Sequence, residues 1–148
     1  MEQKLHTPEG VRDIYNRECE TKLTLQQKLS TVLHLYGYQD IQTPTFEYDD
    51  VFRKEIGSTS TKELYRFFDR EGNILALRPD ITPSVARAAA TLFEGEDLPI
   101  RLCYIGNTFI NHSSYQGRLK ENTQMGAELI GLDSVEADAE MIAMVVDG

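Results

Sequence analysis

The chain has 148 residues, of which 41% are hydrophobic and 26% are charged, and this composition is typical of a globular domain with a buried core. Its formal charge of -9 disfavours broad electrostatic binding to nucleic acid or to anionic lipid. The sequence has neither an apolar run long enough to span a bilayer nor a secretory signal at its start, so we predict a cytoplasmic protein.

The predicted elements begin with a long amphipathic helix from about Asn16 to Tyr36. Its apolar stripe repeats at helical spacing and consists of Leu25, Leu29, Val32, Leu33 and Tyr36. Gly37 follows where a left-handed C-terminal cap would lie. Residues 38–48 are too rich in threonine and proline for a helix, so we predict an extended segment in which Pro44 marks a sheet edge or an interface.

A hairpin and a second helix are predicted next, after an irregular connection over residues 53–63. Within residues 64–79, apolar and aromatic strands flank a Gly-Asn turn, which is typical of a β-hairpin. The helix that follows has Thr82 as its predicted N-cap and Pro83 at its first position. Its predicted buried stripe consists of Ile81, Val85, Ala88 or Ala89, and Leu92.

A long hairpin and a final helix complete the pattern. Residues 99–110 and 118–131 are predicted strands joined by a polar turn, and residues 134–148 are predicted to be helical. The order of elements lacks repeated strand-helix-strand units. We therefore predict an α+β fold in which an antiparallel sheet carries helices on one side.

The cysteines and histidines give no metal signal in the sequence. Cys19 and Cys103 form no C-x-x-C pair and do not join a histidine at a metal-ligand spacing, so we predict that both are reduced and buried. His6 and His34 have no partner at a useful spacing, which favours surface positions. His112 falls in a polar turn, where we expect it to be exposed. We predict no metal and no cofactor.

The second strand of the long hairpin has an unusual polar face. Because side chains alternate along a strand, this face carries Lys120, Asn122, Gln124, Gly126 and Glu128. It is either a solvated outer surface or the floor of a site for a small zwitterion. Gly126 would leave room for a ligand beside the backbone, and Glu128 could accept from a ring N–H such as that of imidazole.

Two more polar residues lie at the start of the helix after the first hairpin. Asp80 adds a carboxylate acceptor, and Thr82 adds a hydroxyl. Both residue types also cap helices, so simple capping is the alternative interpretation, above all for Thr82.

Five segments resemble the N-terminal part of the histidyl-tRNA synthetase catalytic domain in order and spacing: TPEGVRD, LYGYQDIQTPTFE, LYRFFDREGNILALRPDIT, CYIGNTF and QGRLKENTQMGAELIG. The resemblance covers nearly the whole chain. It implies a class II synthetase-like antiparallel sheet of six or more strands flanked by helices. It also implies that residues 1–148 are the N-terminal portion of one such domain whose remainder is missing, and that a homodimer forms around the long helix and DIQTPTFE.

The resemblance also implies a histidine-binding site. Asp80, Thr82 and Gln124 would lie near the amino group of histidine, and Glu128 would lie near its imidazole ring. Arg78 would lie close to the same site, although a structural salt bridge is an alternative role for it. The strand alternation had already placed two of these residues, Gln124 and Glu128, on one polar face.

Three positions depart from the second motif of the synthetases. Ile110 stands where the family has the arginine that holds the ATP α-phosphate, His112 replaces a glutamate, and Asn122 replaces the phenylalanine on which adenine stacks. An aliphatic side chain supplies neither the charge nor the paired donors of a guanidinium group. We therefore expect adenylation to be absent, with no catalytic residue in this chain, while much of the amino-acid pocket is retained.

This combination is similar to the regulatory subunits of ATP phosphoribosyltransferase, as is the segment RPDIT. The similarity implies a non-catalytic subunit that pairs with the short catalytic subunit in the first step of histidine biosynthesis. Free histidine would be the inhibitory effector, and neither tRNA nor a membrane would be a partner. A divergent histidyl-tRNA synthetase is the alternative. A synthetase-like protein that binds another amino acid also stays open, because Asp80 replaces the family's glutamate.

Overall fold

A computed structural model describes residues 5–53, 61–113 and 117–148 of the chain. The helices are α1 (Asn16–Leu35), α2 (Asp50–Arg53), α3 (Thr82–Leu92) and α4 (Val135–Asp147), with a 3-10 turn at Thr61–Glu63. The strands are β1 (Gln39–Asp40), β2 (Phe46–Tyr48), β3 (Arg66–Phe68), β4 (Ile74–Leu77), β5 (Ile100–Phe109) and β6 (Glu121–Ile130). The predicted connections over residues 53–63 and 111–117 lie partly outside the described residues.

The strands form two sheets of three strands each. In one sheet, the order is β1-β5-β6: β5 and β6 pair antiparallel from Ile100 opposite Ile130 to Phe109 opposite Glu121, and β1 is parallel to β5. In the other sheet, the order is β2-β4-β3 and both pairs are antiparallel. The single antiparallel sheet of six or more strands that the resemblance implied is therefore divided here, because the extended segment 38–48 leaves one sheet before Pro44 and enters the other after it.

The main chain of Arg78 joins the two sheets. Its N–H donates to the carbonyl oxygen of Thr45 at 3.0 Å, just before β2, and its own carbonyl accepts from the N–H of Phe109 at 2.9 Å, at the end of β5. The residues that follow Arg78 lead directly into α3. This junction therefore brings the start of α3 to the middle of the β1-β5-β6 sheet.

Helices cover both faces of the β1-β5-β6 sheet, so the prediction of helices on one side is wrong. Leu102 and Tyr104 of β5 form a buried cluster with Ile81 and Val85 at α3. The opposite face carries a second cluster, in which Cys103 of β5 packs with Tyr38, Met144 and, at its edge, Leu33. Because β5 has buried side chains at both even and odd positions, both of its faces need a covering layer.

The long N-terminal helix ends as predicted. Gly37 has a φ of 85° and donates its N–H to the carbonyl of His34 at 3.0 Å, which is a left-handed helix end that favours glycine. None of the residues of α1 is fully buried, and Leu25 is exposed. Packing against the described residues thus buries the predicted apolar stripe of α1 only in part.

The other helix ends follow different rules. Ser134 caps α4 by accepting from the N–H of Ala137 at 3.2 Å. In α3, Ile81 holds the N-cap position, so the prediction of Thr82 as N-cap is wrong. Leu92 is exposed rather than buried, and Phe93 packs against the core instead.

None of the described helices is both long and apolar enough to cross a bilayer.

Candidate functional site

The structure brings the four predicted site residues together: Asp80, Thr82, Gln124 and Glu128. Gly126 of β6 lies opposite Tyr104 of β5, so Gln124, Gly126 and Glu128 share the face of the sheet that packs against α3. The predicted alternation along β6 is confirmed. The start of α3 then places Asp80 and Thr82 over this polar face, where all four side chains are half-buried.

Glu128 accepts two hydrogen bonds through a single oxygen. The hydroxyl of Thr82 donates to Glu128 Oε1 at 2.8 Å, and the phenol of Tyr104 donates to the same oxygen at 3.2 Å. Within the described chain, the other oxygen, Oε2, has no hydrogen-bond partner. The carboxylate is therefore held in one orientation while one of its oxygens stays available to a donor from outside the chain.

Asp80 is arranged in the same way. Its Oδ1 accepts from the Gln124 amide at 3.0 Å and from the N–H of Thr82 at 3.2 Å. Among the described residues, none donates to Oδ2. Because Asp80 accepts from the first turn of α3, the hydroxyl of Thr82 is not needed as a cap, which explains why it reaches Glu128 instead.

Tyr104 is a member of this cluster that the sequence interpretation missed. Its side chain is only 5% exposed, and burial is the main cause that raises the pKa of its phenol to about 12. The ring also fills the space above Gly126, where an added Cβ would lie 2.4 Å from the phenol oxygen. The gap that we assigned to a ligand is thus occupied by Tyr104. In the sequence, this contact could have been predicted from the pairing of an aromatic residue with a glycine across the two strands of the hairpin.

Arg78 lies against Gly106 on the same face, and among the described residues it is not part of a salt bridge. The residue is 7% exposed. Its guanidinium donates from Nε to the carbonyl of Asn107 at 2.7 Å and from Nη1 to that of Thr43 at 2.9 Å. No carboxylate pairs with it in the described parts of the chain. The salt-bridge alternative is therefore wrong, and burial lowers the pKa of this group.

The three positions that depart from the synthetase motif lie on the β5-β6 hairpin or directly after β5. Ile110 is half-buried, and its N–H donates to the carbonyl of Lys120 at 2.9 Å. His112 is only 14% exposed and its Nδ1 lies 3.2 Å from Glu63 Oε1, so the prediction of an exposed histidine is wrong. Asn122 is exposed and donates to the carbonyl of Leu119 at 3.3 Å.

Comparison with known families and curated proteins gives a consistent result. The model of the family described as histidyl-tRNA synthetase matches residues 10–148. A curated protein of Acetivibrio thermocellus, named ATP phosphoribosyltransferase regulatory subunit, is 43% identical over 99% of this chain and 35% of its own length. One of Ruminiclostridium cellulolyticum with the same name is 44% identical over 97% of this chain and 34% of its own length. The chain thus spans about a third of these relatives.

Solved structures agree with these matches. A protein from Bacillus halodurans C, described as an ATP phosphoribosyltransferase regulatory subunit/histidyl-tRNA synthetase, has a TM-score of 0.88 at 32% identity and covers 99% of this chain and 38% of its own. Apo histidyl-tRNA synthetase of S. aureus has a TM-score of 0.80 at 29% identity, covering 97% of this chain and 33% of its own. The predicted α+β, class II synthetase-like fold is confirmed.

Proposed function

This chain belongs to the histidyl-tRNA synthetase family, and within that family we propose that it acts as a non-catalytic regulatory subunit of ATP phosphoribosyltransferase. In this role it is required for the first step of histidine biosynthesis and for inhibition of that step by histidine. Its partner is the short catalytic subunit. The names and the identities of the curated relatives support this assignment.

The observation that carries the proposal is the pair of anchored carboxylates. Glu128 and Asp80 each use one oxygen for contacts within the protein, and each keeps a second oxygen without a partner in the described residues. Two such acceptors suit a ligand with two nitrogen donors, and histidine has an ammonium group and an imidazole N–H. We assign the amino group to Asp80, Thr82 and Gln124, and the imidazole to Glu128.

The residue at position 110 supports a role without adenylation. The synthetase motif that this segment resembles would have an arginine here to hold the ATP α-phosphate, and Ile110 has neither charge nor donor. His112 is paired with Glu63, and the exposed Asn122 offers no ring for adenine to stack on. A site that keeps its amino-acid acceptors and lacks these groups is suited to sensing histidine without activating it.

We also propose that the protein is a homodimer and that tRNA is not a partner. The β2-β4-β3 sheet presents an aromatic surface, defined by Phe46, Tyr48 and Phe67, whose side chains are partly exposed. The rings of Phe46 and Phe67 contact each other edge to face with centroids 5.4 Å apart. Aromatic residues on an exposed sheet are typical of a protein interface. The chain itself would be the N-terminal portion of a longer synthetase-like domain.

The proposal is tested by measuring the activity of the short catalytic subunit with and without the full-length version of this protein, across a histidine titration. We expect activity to depend on this protein and to fall as histidine rises. Activity that is indifferent to this protein would overturn the regulatory assignment. The same preparation is then assayed for histidine-dependent exchange of pyrophosphate into ATP.

That second assay addresses the alternative function, a divergent histidyl-tRNA synthetase, which the structural similarity to the S. aureus enzyme favours. A synthetase predicts exchange between pyrophosphate and ATP that requires histidine, despite Ile110. The regulatory assignment predicts no exchange. Solution mass tests the dimer, since a monomer at high concentration would contradict it.

A further inference from the structure

Three potential metal ligands meet on the face of the β1-β5-β6 sheet opposite Glu128. They are His34 in the last turn of α1, Asp40 on β1 and Cys103 on β5, and one ligand atom from each lies within 4.8 Å of the other two. The distance from His34 Nε2 to Asp40 Oδ2 is 3.0 Å, and Cys103 Sγ lies 3.5 Å from Asp40 Oδ1. The carboxylate of Asp40 therefore stands between an imidazole and a thiol.

The fold explains why this cluster is not apparent from the sequence pattern. Asp40 and Cys103 are direct partners in the parallel pairing of β1 with β5, so their side chains point to the same face although 63 residues separate them. The turn at Gly37 reverses the chain after α1 and brings His34 back beside β1. His34, for which the sequence predicted no partner, thus has one.

We propose that His34, Asp40 and Cys103 form a binding site for a divalent transition-metal ion, with Zn²⁺ as the best match. Imidazole nitrogen, carboxylate oxygen and thiolate sulfur are the three ligand types that zinc takes in proteins. Zinc-ligand distances of about 2.0–2.3 Å in a tetrahedral site place ligand atoms roughly 3–4 Å apart. Here one ligand atom from each of the three residues lies within 4.8 Å of the other two. The sulfur disfavours Mg²⁺ and Ca²⁺, which prefer oxygen ligands.

The surroundings of the cluster suit a cation that arrives from solvent. His34 and Asp40 are exposed, whereas Cys103 is 1% exposed and lies at the base of the cluster. The cluster also lies beside the carboxyl end of α1, where the helix dipole favours positive charge. Three protein ligands leave the fourth tetrahedral position to water or to a small ligand.

Binding of the ion changes the state of the thiol. Without metal, the Cys103 thiol donates its proton in a hydrogen bond to Asp40 Oδ1 at 3.5 Å. On binding, the ion takes the place of this proton, which passes to the buffer, and the sulfur becomes a thiolate ligand. Without an ion, these three side chains are joined by the 3.0 Å contact of His34 Nε2 with Asp40 Oδ2 and by the thiol hydrogen bond to Asp40 Oδ1.

The test is a titration of the full chain with Co²⁺, followed by Zn²⁺. Cobalt has a visible spectrum, and a sulfur ligand adds a charge-transfer band in the near ultraviolet. We expect about one Co²⁺ per chain, a sulfur-to-cobalt band, and loss of that band when Zn²⁺ displaces the cobalt. A chain without this band would overturn the proposal.

Matched variants assign the ligands. Cys103→Ser should abolish the charge-transfer band, whereas Cys19→Ser, which alters the other cysteine, should keep it. His34→Gln and Asp40→Asn change exposed side chains, so the fold persists, and circular dichroism checks this. Each should weaken Co²⁺ affinity by about ten-fold or more. The site would be contradicted by a charge-transfer band that survives in Cys103→Ser or disappears in Cys19→Ser. Unchanged Co²⁺ affinities in both His34→Gln and Asp40→Asn would also contradict it.

Discussion

The phenol ring of Tyr104 lies directly over Gly126 on the neighbouring strand, so that an added Cβ at position 126 would be 2.4 Å from the phenol oxygen and 2.6 Å from the ring carbon that carries it. This contact also aims the phenol at Glu128 Oε1. The absence of a side chain at position 126 therefore sets the position of a donor at the candidate site.

The first prediction concerns this contact. Gly126→Ala should lower the free energy of unfolding by about 1–3 kcal/mol, because the buried ring of Tyr104 has to move in a packed core. It should also weaken histidine binding. Tyr104→Phe is the matched variant, because it keeps the ring over Gly126 and removes only the hydroxyl, which contacts Glu128 and Thr82. Denaturant unfolding followed by circular dichroism measures the stability, and equal stabilities of Gly126→Ala and wild type would contradict the packing argument.

The second prediction concerns Glu128. Glu128→Gln should weaken histidine binding by about ten-fold or more, because an amide loses the charge that attracts an imidazole N–H. The control is Glu121→Gln on the same strand, where the carboxylate accepts from Asn107 at 2.8 Å away from the proposed site. Isothermal titration with histidine, on the full-length protein and on its complex, provides the measurement. Similar losses in both variants would remove Glu128 from the site.

The third prediction concerns Asp49, which is 2% exposed and is held by two arginines. Arg66 donates to its Oδ1 at 2.6 Å, and Arg53 donates to its Oδ2. Burial acts to raise the pKa of Asp49, but the hydrogen bonds from the arginines outweigh it, and the net pKa is lowered. Asp49→Asn should cost about 2 kcal/mol, less than for a fully buried pair because both arginines reach solvent.

Denaturant unfolding at neutral pH measures the effect of Asp49→Asn. Asp50→Asn is the control, because Asp50 is exposed and its contact with Arg53 is longer, at 3.5 Å. We expect Asp50→Asn to change the unfolding free energy by less than about 0.5 kcal/mol. If the two variants had the same stability, the buried carboxylate would not be what ties α2 to the β2-β4-β3 sheet.

The fourth prediction is a pH dependence at the contact between α4 and β5. Arg101 donates from Nε and Nη2 to the two oxygens of Glu140, each at 2.8 Å, and this contact lowers the pKa of Glu140. Because the folded-state pKa is below the unfolded value of about 4.3, the stabilisation is complete above that pH and is lost as the pH falls through the folded value.

Glu140→Gln should therefore lower the unfolding free energy by about 1 kcal/mol at pH 7 and by less at pH 3, which lies below the unfolded pKa, where the stabilisation begins to be lost. Glu20→Gln, at an exposed position of α1, should change the unfolding free energy little at either pH. Urea unfolding at the two pH values measures both variants. A destabilisation by Glu140→Gln that is the same at pH 3 and pH 7 would show that the ionised carboxylate is not its cause.

The sequence alone determined the features that depend on short-range pattern. The end of α1 at Gly37, the hairpin of β3 and β4, and the alternation that puts Gln124 and Glu128 on one face all follow from local periodicity and turn chemistry. Each involves residues close together in the chain, so the spacing of side chain types was sufficient.

Only the tertiary structure decided which distant side chains meet. Thr82 reaches Glu128 across 46 residues, Tyr104 fills the space over Gly126, and Asp40 stands beside Cys103. Strand register and the packing of α3 produce these contacts, and both result from burial summed over many residues that are far apart in the chain. A periodic pattern predicts which face of a helix or strand a residue occupies. Which distant residue it contacts depends on how that face packs against other elements.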